Sequence, residues 1–302
     1  MRGEHGLWGR KRRGGSGLRS SGLPWILPTL LVSAGLIYYG IGYTVYISTL
    51  VWDGVSPIQT FVGLQNYAKL FQDPTFWASI WHTAVFFVVT LTGQVVLGLA
   101  FAVLLHSKVR LSVIYRVVIF VPVVIAPATM APVFREMLAP TGQFNEILRF
   151  VGLGGLVHAW LAEPRTALAG VIAIAIWQST GVSFILYFAA VGQIDREILE
   201  AARIDGARNL RVIASIVWPA VRGTTVALAI LTAISSLKLF DIPYLVTSAG
   251  GPDYGTYFLG IMIFQVSFAF HQLGYGAAVS IVLLVLAVGM AITLSVRGRR
   301  SA

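Results

Sequence analysis

The sequence has no cysteine among its 302 residues, so disulfide bonds, thiolate metal sites and cysteine nucleophiles are excluded. Charged residues are also scarce, at 11%, whereas hydrophobic residues make up 57% and the mean hydropathy is +0.79. Soluble domains carry about twice this share of charge because their surfaces face water. The composition therefore indicates a chain that is embedded in a lipid bilayer.

The sequence motifs of phosphate binding and hydrolysis are missing as well. An ATP-hydrolysing chain needs Gly-x-x-x-x-Gly-Lys-Ser/Thr, and no lysine of this sequence is followed by Ser or Thr. There is no Gly-x-Ser-x-Gly elbow, no His-Glu-x-x-His and no His-x-x-x-His pair. The sequence therefore predicts a protein that is not itself an enzyme and that holds no metal or cofactor of its own.

The formal net charge of +10 raises the question of a nucleic-acid partner. A nucleic-acid-binding protein gathers its basic residues on one solvent-exposed face. Here the basic residues are scattered between apolar runs, so no nucleic acid is expected, and the partner that the composition favours is the lipid bilayer.

Apolar runs without charge predict the membrane spans, since a helix needs roughly 20 residues to cross about 30 Å of hydrocarbon. Four such runs cover residues 26–51, 83–105, 167–194 and 273–296. Two weaker runs also count as spans, namely 117–134 with three prolines and 223–240 with Lys238. The predicted fold class is all-α, with six transmembrane helices and a kink in the third.

Lysine and arginine are concentrated in alternate connections between these spans, counted from the N-terminal stretch. The other connections hold only Lys69, Arg135, Arg149 and Arg165. Because cytoplasmic loops carry the positive excess, both termini are predicted to lie in the cytoplasm. Residues 1–23 then form a basic cytoplasmic tail, 24–296 the transmembrane domain and 297–302 a cytoplasmic C-terminal tail. Residues 257–270 are apolar but too short to span, which predicts an interfacial or re-entrant helix on the outer side.

A charged segment, residues 195–219, interrupts the apolar pattern on the cytoplasmic side. Asp195 is a candidate N-cap, and Gly206 can adopt the left-handed conformation that ends a helix. The segment is therefore predicted to form a helix to about Asp205, a turn, and a second helix from Arg208 to Pro219. Its charges either form a docking surface or pair with one another in a solvated loop.

The order of residues in this segment resembles the EAA motif of permease subunits in binding-protein-dependent ATP-binding-cassette (ABC) importers. The matching residues are Glu200, Ala201, Ala202, Gly206, Ile216 and Pro219, while Trp218 stands where the family usually has Leu. The stretches GQIDREILEAARIDGA (192–207), GLQNYAKLFQDPTF (63–76), GQFNEIL (142–148) and FDIPYLVTSAGGP (240–252) are similar to the carbohydrate branch, the relatives of the maltose permease. The resemblance extends from about residue 24 to the C-terminus.

The resemblance implies a type I ABC importer permease fold in a bacterial cytoplasmic membrane. It also implies four kinds of partner: a second permease subunit, two cytoplasmic ATPase subunits that bind ATP and Mg, an extracytoplasmic solute-binding protein, and a sugar-like solute. The residues implied to dock on the ATPase are Glu200, Ala201, Ala202, Asp205, Gly206 and Arg208.

Polar side chains within two spans are the candidates for a solute pathway, because such groups in a membrane usually face a cavity or another helix. The sequence and the resemblance together single out Gln178, Ser179, Val182, Ser183, Tyr187, Ser236 and Lys238. Hydroxyl and amide groups exchange hydrogen bonds with a sugar, and aromatic faces cover its C–H surfaces. Alternatively, Ser and Thr bond back to their own helix. Lys238 either extends to the outer interface beside Asp241 or faces the cavity, where it favours an anionic solute such as a glycerol phosphate.

Other classes of protein fit the sequence less well. A secondary transporter ordinarily carries acidic or histidine residues within its spans for ion coupling, together with inverted repeats. A membrane enzyme needs the catalytic motifs that are missing, and a structural scaffold does not account for polar residues in two spans. Within the importers, the outer-loop stretches argue against an amino-acid or peptide permease.

Overall fold

A computed structural model of the chain describes residues 23–106 and 111–301, and helices dominate this part of the chain. Four of its helices are long and apolar enough to cross a membrane. They are α1 (Leu23–Ser48), α3 (Pro74–His106), α7 (Pro164–Val191) and α14 (Leu273–Ser301). They confirm the four strong predicted spans, and α14 continues past residue 296 through most of the predicted C-terminal tail. The basic tail, apart from Leu23, lies outside the described residues.

The third predicted span is broken rather than kinked. Helix α4 (Ser112–Val124) and helix α5 (Pro127–Met137) meet at 98°. Ile125 and Ala126 between them are extended, with ψ of 122° and 140°. The residue before a proline is pushed out of the helical region by the proline ring, so Pro127 ends one helix and begins the next. Two bent pairs, this one and the pair that ends in α11, bring the described chain to six spans if each pair counts as one.

The charged segment forms the predicted helix, turn and helix. Helix α8 (Arg196–Ile204) is followed by α9 (Asn209–Val212), a π-helical stretch (Ile213–Val217) and α10 (Trp218–Ala220). Helix α11 (Arg222–Leu237) then departs at 68°. The chain therefore enters the segment from α7 and leaves it through α11.

Short elements close the opposite end of the bundle, which the charge distribution predicts to be the outer end. They are the antiparallel strands β1 (Leu50–Val51) and β2 (Thr60–Phe61) and the helices α2 (Gln65–Gln72), α6 (Gln143–Phe150), α12 (Asp241–Val246) and α13 (Leu259–Phe264), the last continued by a π-helical stretch (Gln265–Ala269). Two buried asparagines hold these elements in place by hydrogen bonds to backbone carbonyls. Asn66 donates to the carbonyls of Ser48 and Leu50 at 2.9 and 2.8 Å, and Asn145 donates to the carbonyl of His158 at 2.8 Å.

Helix α13 and its continuation account for the short apolar run 257–270. Leu259, Ile261 and Met262 are almost completely buried, in one cluster with Phe76 of α3 and Val279 of α14. A helix lying on a membrane surface keeps its polar face in water, whereas this one packs inside the end of the bundle. Of the two alternatives left by the sequence, the burial favours a re-entrant segment.

Close helix contacts at small residues hold the spans together. A Cβ built on Gly98 of α3 would lie 2.6 Å from the hydroxyl oxygen of Ser183 on α7, and one on Gly93 would lie 2.7 Å from the side chain of Ile176. In lipid, where helix association depends on van der Waals packing, small residues allow backbones to approach closely. Helices α3 and α7 therefore form the centre of the subunit, while α1 packs mainly on α14 and is largely exposed.

The start of α14 offers a test of this packing. A Cβ on Gly274 would overlap the carbonyl oxygen of Leu50, whereas one on Gly289 in the same helix meets nothing within 4 Å. We expect Gly274→Ala to destabilise the protein by about 1–3 kcal/mol, because the backbone must shift. Thermal unfolding in detergent measures the effect, with Gly289→Ala as the control that leaves the midpoint unchanged or slightly raised. Equal midpoints for both variants would contradict the packing described.

Candidate coupling segment and solute pathway

The turn of the charged segment is fixed by Gly206, which has a φ of +76°. The backbone N–H of Ala207 donates to the carbonyl of Ala202 at 3.0 Å, which is the 6→1 hydrogen bond of the Schellman motif at a helix C-terminus. A Cβ on Gly206 would meet nothing within 4 Å, so the glycine is required by the backbone conformation and not by space. The sequence prediction of a left-handed turn at this residue is confirmed.

One face of this segment is exposed and has no other part of the described chain packed on it. Glu200, Ala201, Asp205, Gly206 and Arg208 are exposed and Ala202 is half-buried. Among the described side chains, none of these charged residues forms an ion pair. The prediction that the segment is a loop of self-paired charges therefore finds no support, and five of the six residues expected to dock on a partner are exposed.

Large apolar side chains are exposed on the same segment. Ile204 is 87% exposed and Leu210 is 80% exposed, one on each side of the Gly206 turn. Unpaired charges that surround exposed apolar side chains are typical of a surface that binds another protein, with an apolar centre and a polar rim.

The inner face of the segment is part of the core. Val217 of the π-helical stretch and Val221 at the bend are 4% and 0% exposed, and both belong to one buried cluster with Val191 at the end of α7. Pro219 lacks an N–H, so the helix cannot make its regular bond at this residue. The segment thus has one face built into the subunit and one face open.

Of the residues predicted for the solute pathway, Gln178 lies at the break between α4 and α5. Its amide donates to the carbonyl oxygen of Ile125 at 2.9 Å. That carbonyl belongs to the extended pair between the two helices, where no helical N–H is available to it. Gln178 is half-buried and stabilises the break.

Ser179 belongs to a polar network that joins three spans. The amide nitrogen of Gln94 on α3 donates to the Ser179 hydroxyl at 2.8 Å, and the Thr232 hydroxyl on α11 donates to the amide oxygen of Gln94 at 2.6 Å. Gln94 is 6% exposed and Thr232 is 4% exposed. Hydrogen bonds between helices are favourable in lipid because a polar group has no water to bond instead.

The other predicted pathway residues divide into buried and exposed groups. Ser183, Tyr187 and Ser236 are 0%, 0% and 1% exposed, whereas Val182 and Lys238 are exposed. The hydroxyls of Ser183 and Ser236 donate to carbonyls of their own helices, as the alternative interpretation of the sequence predicts. Lys238 forms no ion pair with Asp241.

A cavity of 790 Å³ opens beside this region. It is lined mainly by aliphatic and aromatic side chains of α5 and α7, including Trp177, Phe134 and Met130. Trp177 meets Phe134 edge-on at 5.1 Å between ring centroids. Gln178 and Ser179 do not line this cavity, so this apolar space and the predicted polar pathway lie on different faces of α7. Within the described residues, no cluster of three or more His, Asp or Glu side chains could hold a metal ion.

Sequence reasoning missed Gln94 and Thr232. The signal for Gln94 was a lone amide in the middle of a charge-free run, a position where polar side chains bond to neighbouring helices. The signal for Thr232 was weaker, since one hydroxyl in an apolar helix commonly bonds to its own backbone. Which polar groups meet depends on the rotation of three helices, which the sequence does not specify.

These features define a polytopic, helical membrane protein with a polar network between its spans and an exposed, charged segment on one side. The chain belongs to the family of binding-protein-dependent transport system inner membrane components, whose model matches residues 94–300. It is therefore the membrane component of such a system, and the predicted fold class and family are confirmed.

Individual relatives agree with this membership. The chain is 32% identical over 274 residues to the probable ABC transporter permease protein YurN of Bacillus subtilis (strain 168), covering 89% of this chain and 94% of the relative. It is 30% identical over 269 residues to the lactose transport system permease protein LacF of Rhizobium radiobacter, covering 88% and 90%. A chain of the bacterial alginate ABC transporter, crystallised with an alginate pentasaccharide-bound periplasmic protein, shares the fold with a TM-score of 0.74 at 20% identity, covering 92% and 96%.

The polar network gives a stability prediction. Gln94→Leu removes both hydrogen bonds that join α3 to α7 and α11, while Ser179 and Thr232 keep their own backbone acceptors. We therefore expect a loss of only about 1 kcal/mol. Thr92→Val is the matched control, because the Thr92 hydroxyl bonds only to Val88 of its own helix. Thermal unfolding in detergent should show a lower midpoint for Gln94→Leu alone, and equal midpoints would show that the network adds no stability.

The Gly206 turn gives a second prediction. Gly206→Val should prevent the segment from adopting its shape, since a β-branched residue avoids a φ of +76°, whereas Gly206→Asn should largely preserve it. Both variants add a side chain to an open surface, so they differ chiefly in backbone preference. Limited proteolysis of the segment measures the effect, with faster cleavage expected for Gly206→Val. Equal cleavage of the two variants would contradict a backbone role.

Proposed function

We propose that the chain forms half of the translocation pore of an ATP-driven importer for a sugar or sugar-like solute. A second permease subunit supplies the other half. Two cytoplasmic ATPase subunits hold ATP and Mg and hydrolyse ATP, and an extracytoplasmic binding protein delivers the solute. The chain itself contributes pore and coupling, and both of its termini lie in the cytoplasm.

The observation that carries this proposal is the two-faced segment 195–219. Its exposed face combines unpaired charges with Ile204 and Leu210, and its buried face packs on α7. A partner that pulls on the open face displaces the core of the subunit as well. Glu200 is the charged anchor of this contact, the alanines permit close approach, and Asp205 and Arg208 form its rim.

The solute class is supported by the relatives and by the aromatic side chains of the pore helices. A lactose transport permease is 30% identical, and a chain of an alginate transporter shares the fold. Trp177 is 40% exposed on α7 and presents a face of the kind that covers sugar C–H groups. Gln178 and Ser179 are half-buried on the same helix and are the polar groups proposed for the pathway, on a different face of α7 from the cavity that Trp177 lines.

An anionic solute is the second candidate, and Lys238 is the observation that favours it. Its side chain is exposed at the end of α11 and unpaired among the described residues. The alginate transporter whose fold this chain shares imports an acidic polysaccharide. A lysine that faces the pore would bind the carboxylate of an acidic sugar or the phosphate of a glycerol phosphate.

The test uses the whole transporter in proteoliposomes that contain ATP. Glu200→Ala should abolish binding-protein-stimulated ATP hydrolysis and weaken copurification of the ATPase subunits, because it removes the charged anchor. Glu146→Ala is the matched control, since Glu146 is an exposed glutamate of a short helix at the opposite end of the bundle. Uptake of lactose, alginate oligosaccharides and glycerol 3-phosphate then identifies the solute class.

Equal hydrolysis in Glu200→Ala and Glu146→Ala would contradict coupling through this segment. Uptake by the chain without any ATPase subunit would identify a secondary transporter instead. Loss of glycerol 3-phosphate or alginate uptake in Lys238→Gln, with lactose uptake unchanged, would identify the anionic solute as the physiological class.

A further inference from the structure

A hydrogen bond closes the base of the coupling segment. Helix α7 ends at Val191 and α11 begins at Arg222. Tyr187 lies one turn before that end and Thr225 lies one turn after that beginning. The Tyr187 hydroxyl lies 2.9 Å from the Thr225 hydroxyl oxygen, so one bond joins the helix that enters the segment to the helix that leaves it.

The direction of this bond follows from counting protons. A hydroxyl group has one proton to donate. Both protons are used when the Thr225 hydroxyl donates to the backbone carbonyl of Val221 at 3.1 Å and the Tyr187 hydroxyl donates to Thr225, so we assign this direction. The resulting chain runs from Tyr187 to Thr225 and on to Val221, the residue at which α10 and α11 meet at 68°.

Tyr187 has no open surface to offer a solute. Its side chain is 0% exposed and packs in one cluster with Val191, Val217 and Val221. Ala102 and Leu105 of α3 belong to the same cluster, so the ring is enclosed by three helices and by the inner face of the segment. Because Tyr187 is buried between the spans and the segment, its side chain connects these two parts of the protein.

The bend before α11 needs a bond to α7 because the backbone that leads into the bend is not a regular α-helix. The stretch Ile213–Val217 is π-helical, Pro219 has no N–H to donate, and the regular ladder resumes only where the Val221 N–H donates to Val217 at 3.0 Å. Without the Tyr187 bond, α7 and α11 would meet at this level through apolar contacts alone, which resist sliding less than a directional bond.

We propose that Tyr187 is a positioning residue for energy coupling, and that its bond to Thr225 makes α7 and α11 respond as one unit when the ATPase subunits move the segment. The inference rests on the proposed function. It assigns Tyr187 to transmission of movement and not to the solute pathway for which the sequence singled it out.

The test compares Tyr187→Phe with Thr225→Val, Thr225→Ser and Tyr115→Phe in the whole transporter. Phenylalanine keeps the buried ring and removes only the hydroxyl, and serine keeps the hydroxyl of Thr225. Tyr115 is an exposed tyrosine of α4 whose hydroxyl has no described hydrogen bond. We expect Tyr187→Phe and Thr225→Val to lower the ratio of binding-protein-stimulated to basal ATP hydrolysis about fivefold or more. Thr225→Ser and Tyr115→Phe should keep the wild-type ratio.

Two further readouts separate coupling from simple stability. The concentration of binding protein that gives half-maximal stimulation, and the amount of ATPase subunit that copurifies, should both stay unchanged in Tyr187→Phe. Because the chain has no cysteine, spin labels at Ala189→Cys and Ala227→Cys report the distance between α7 and α11. Adding MgATP and vanadate should give one narrow distance in the otherwise wild-type protein and a broad one with Tyr187→Phe.

A wild-type ratio and a narrow distance in Tyr187→Phe would overturn the inference, as would a loss of copurifying ATPase that accounts for the whole effect. Failure of the proposed function has a different signature. In that case Glu200→Ala leaves hydrolysis unchanged, or the wild-type transporter shows no stimulation by the binding protein.

Discussion

Each backbone carbonyl that a membrane chain releases from its helix needs another donor, and the structure depends on how that need is met at its breaks. Water is absent from the hydrocarbon region, so an unpaired polar group there costs several kcal/mol. At the break between α4 and α5, the amide of Gln178 bonds to Ile125. At the bend before α11, the Val221 carbonyl keeps a helical donor, the N–H of Thr225 at 3.0 Å. The Thr225 hydroxyl adds a second bond to this carbonyl and is also bonded to Tyr187. Both side-chain donors belong to α7 or are bonded to it, so this helix supports both irregular regions.

The same constraint explains why a transport subunit can combine rigidity with movement. Helices α3 and α7 approach so closely at Gly98 and Ser183 that neither can slide without opening the contact. Movement is therefore expected at the breaks, where a few side-chain bonds replace the regular ladder. A segment with one face built into this support and one face open to a partner can transmit displacement without a change in the rigid pair.

Much of the fold could be predicted from the sequence because charged residues are excluded from helices that cross lipid, so charge-free runs identify the spans. The four long spans follow from charge-free runs, and the Gly206 turn follows from glycine placed after a charged helix. The break near Pro127 was underestimated, since three prolines suggested bending and only the extended pair at 125–126 shows that the helix stops. The pairing of Gln94 with Ser179 and Thr232 lay beyond sequence reasoning, because it depends on how three helices are rotated about their axes.

The hydrogen bonds of the pathway residues also limit how solute selection works. Ser183 and Ser236 are buried and bonded to their own helices, and Gln178 is engaged at the break. A sugar that used these groups would have to displace bonds that hold the subunit together, which removes much of the gain. Groups without such engagement, including the exposed faces of Trp177, Val182 and Lys238, are free to contact solute at lower cost. Selectivity is therefore expected to depend on these exposed side chains, while the buried polar groups keep the helices in register.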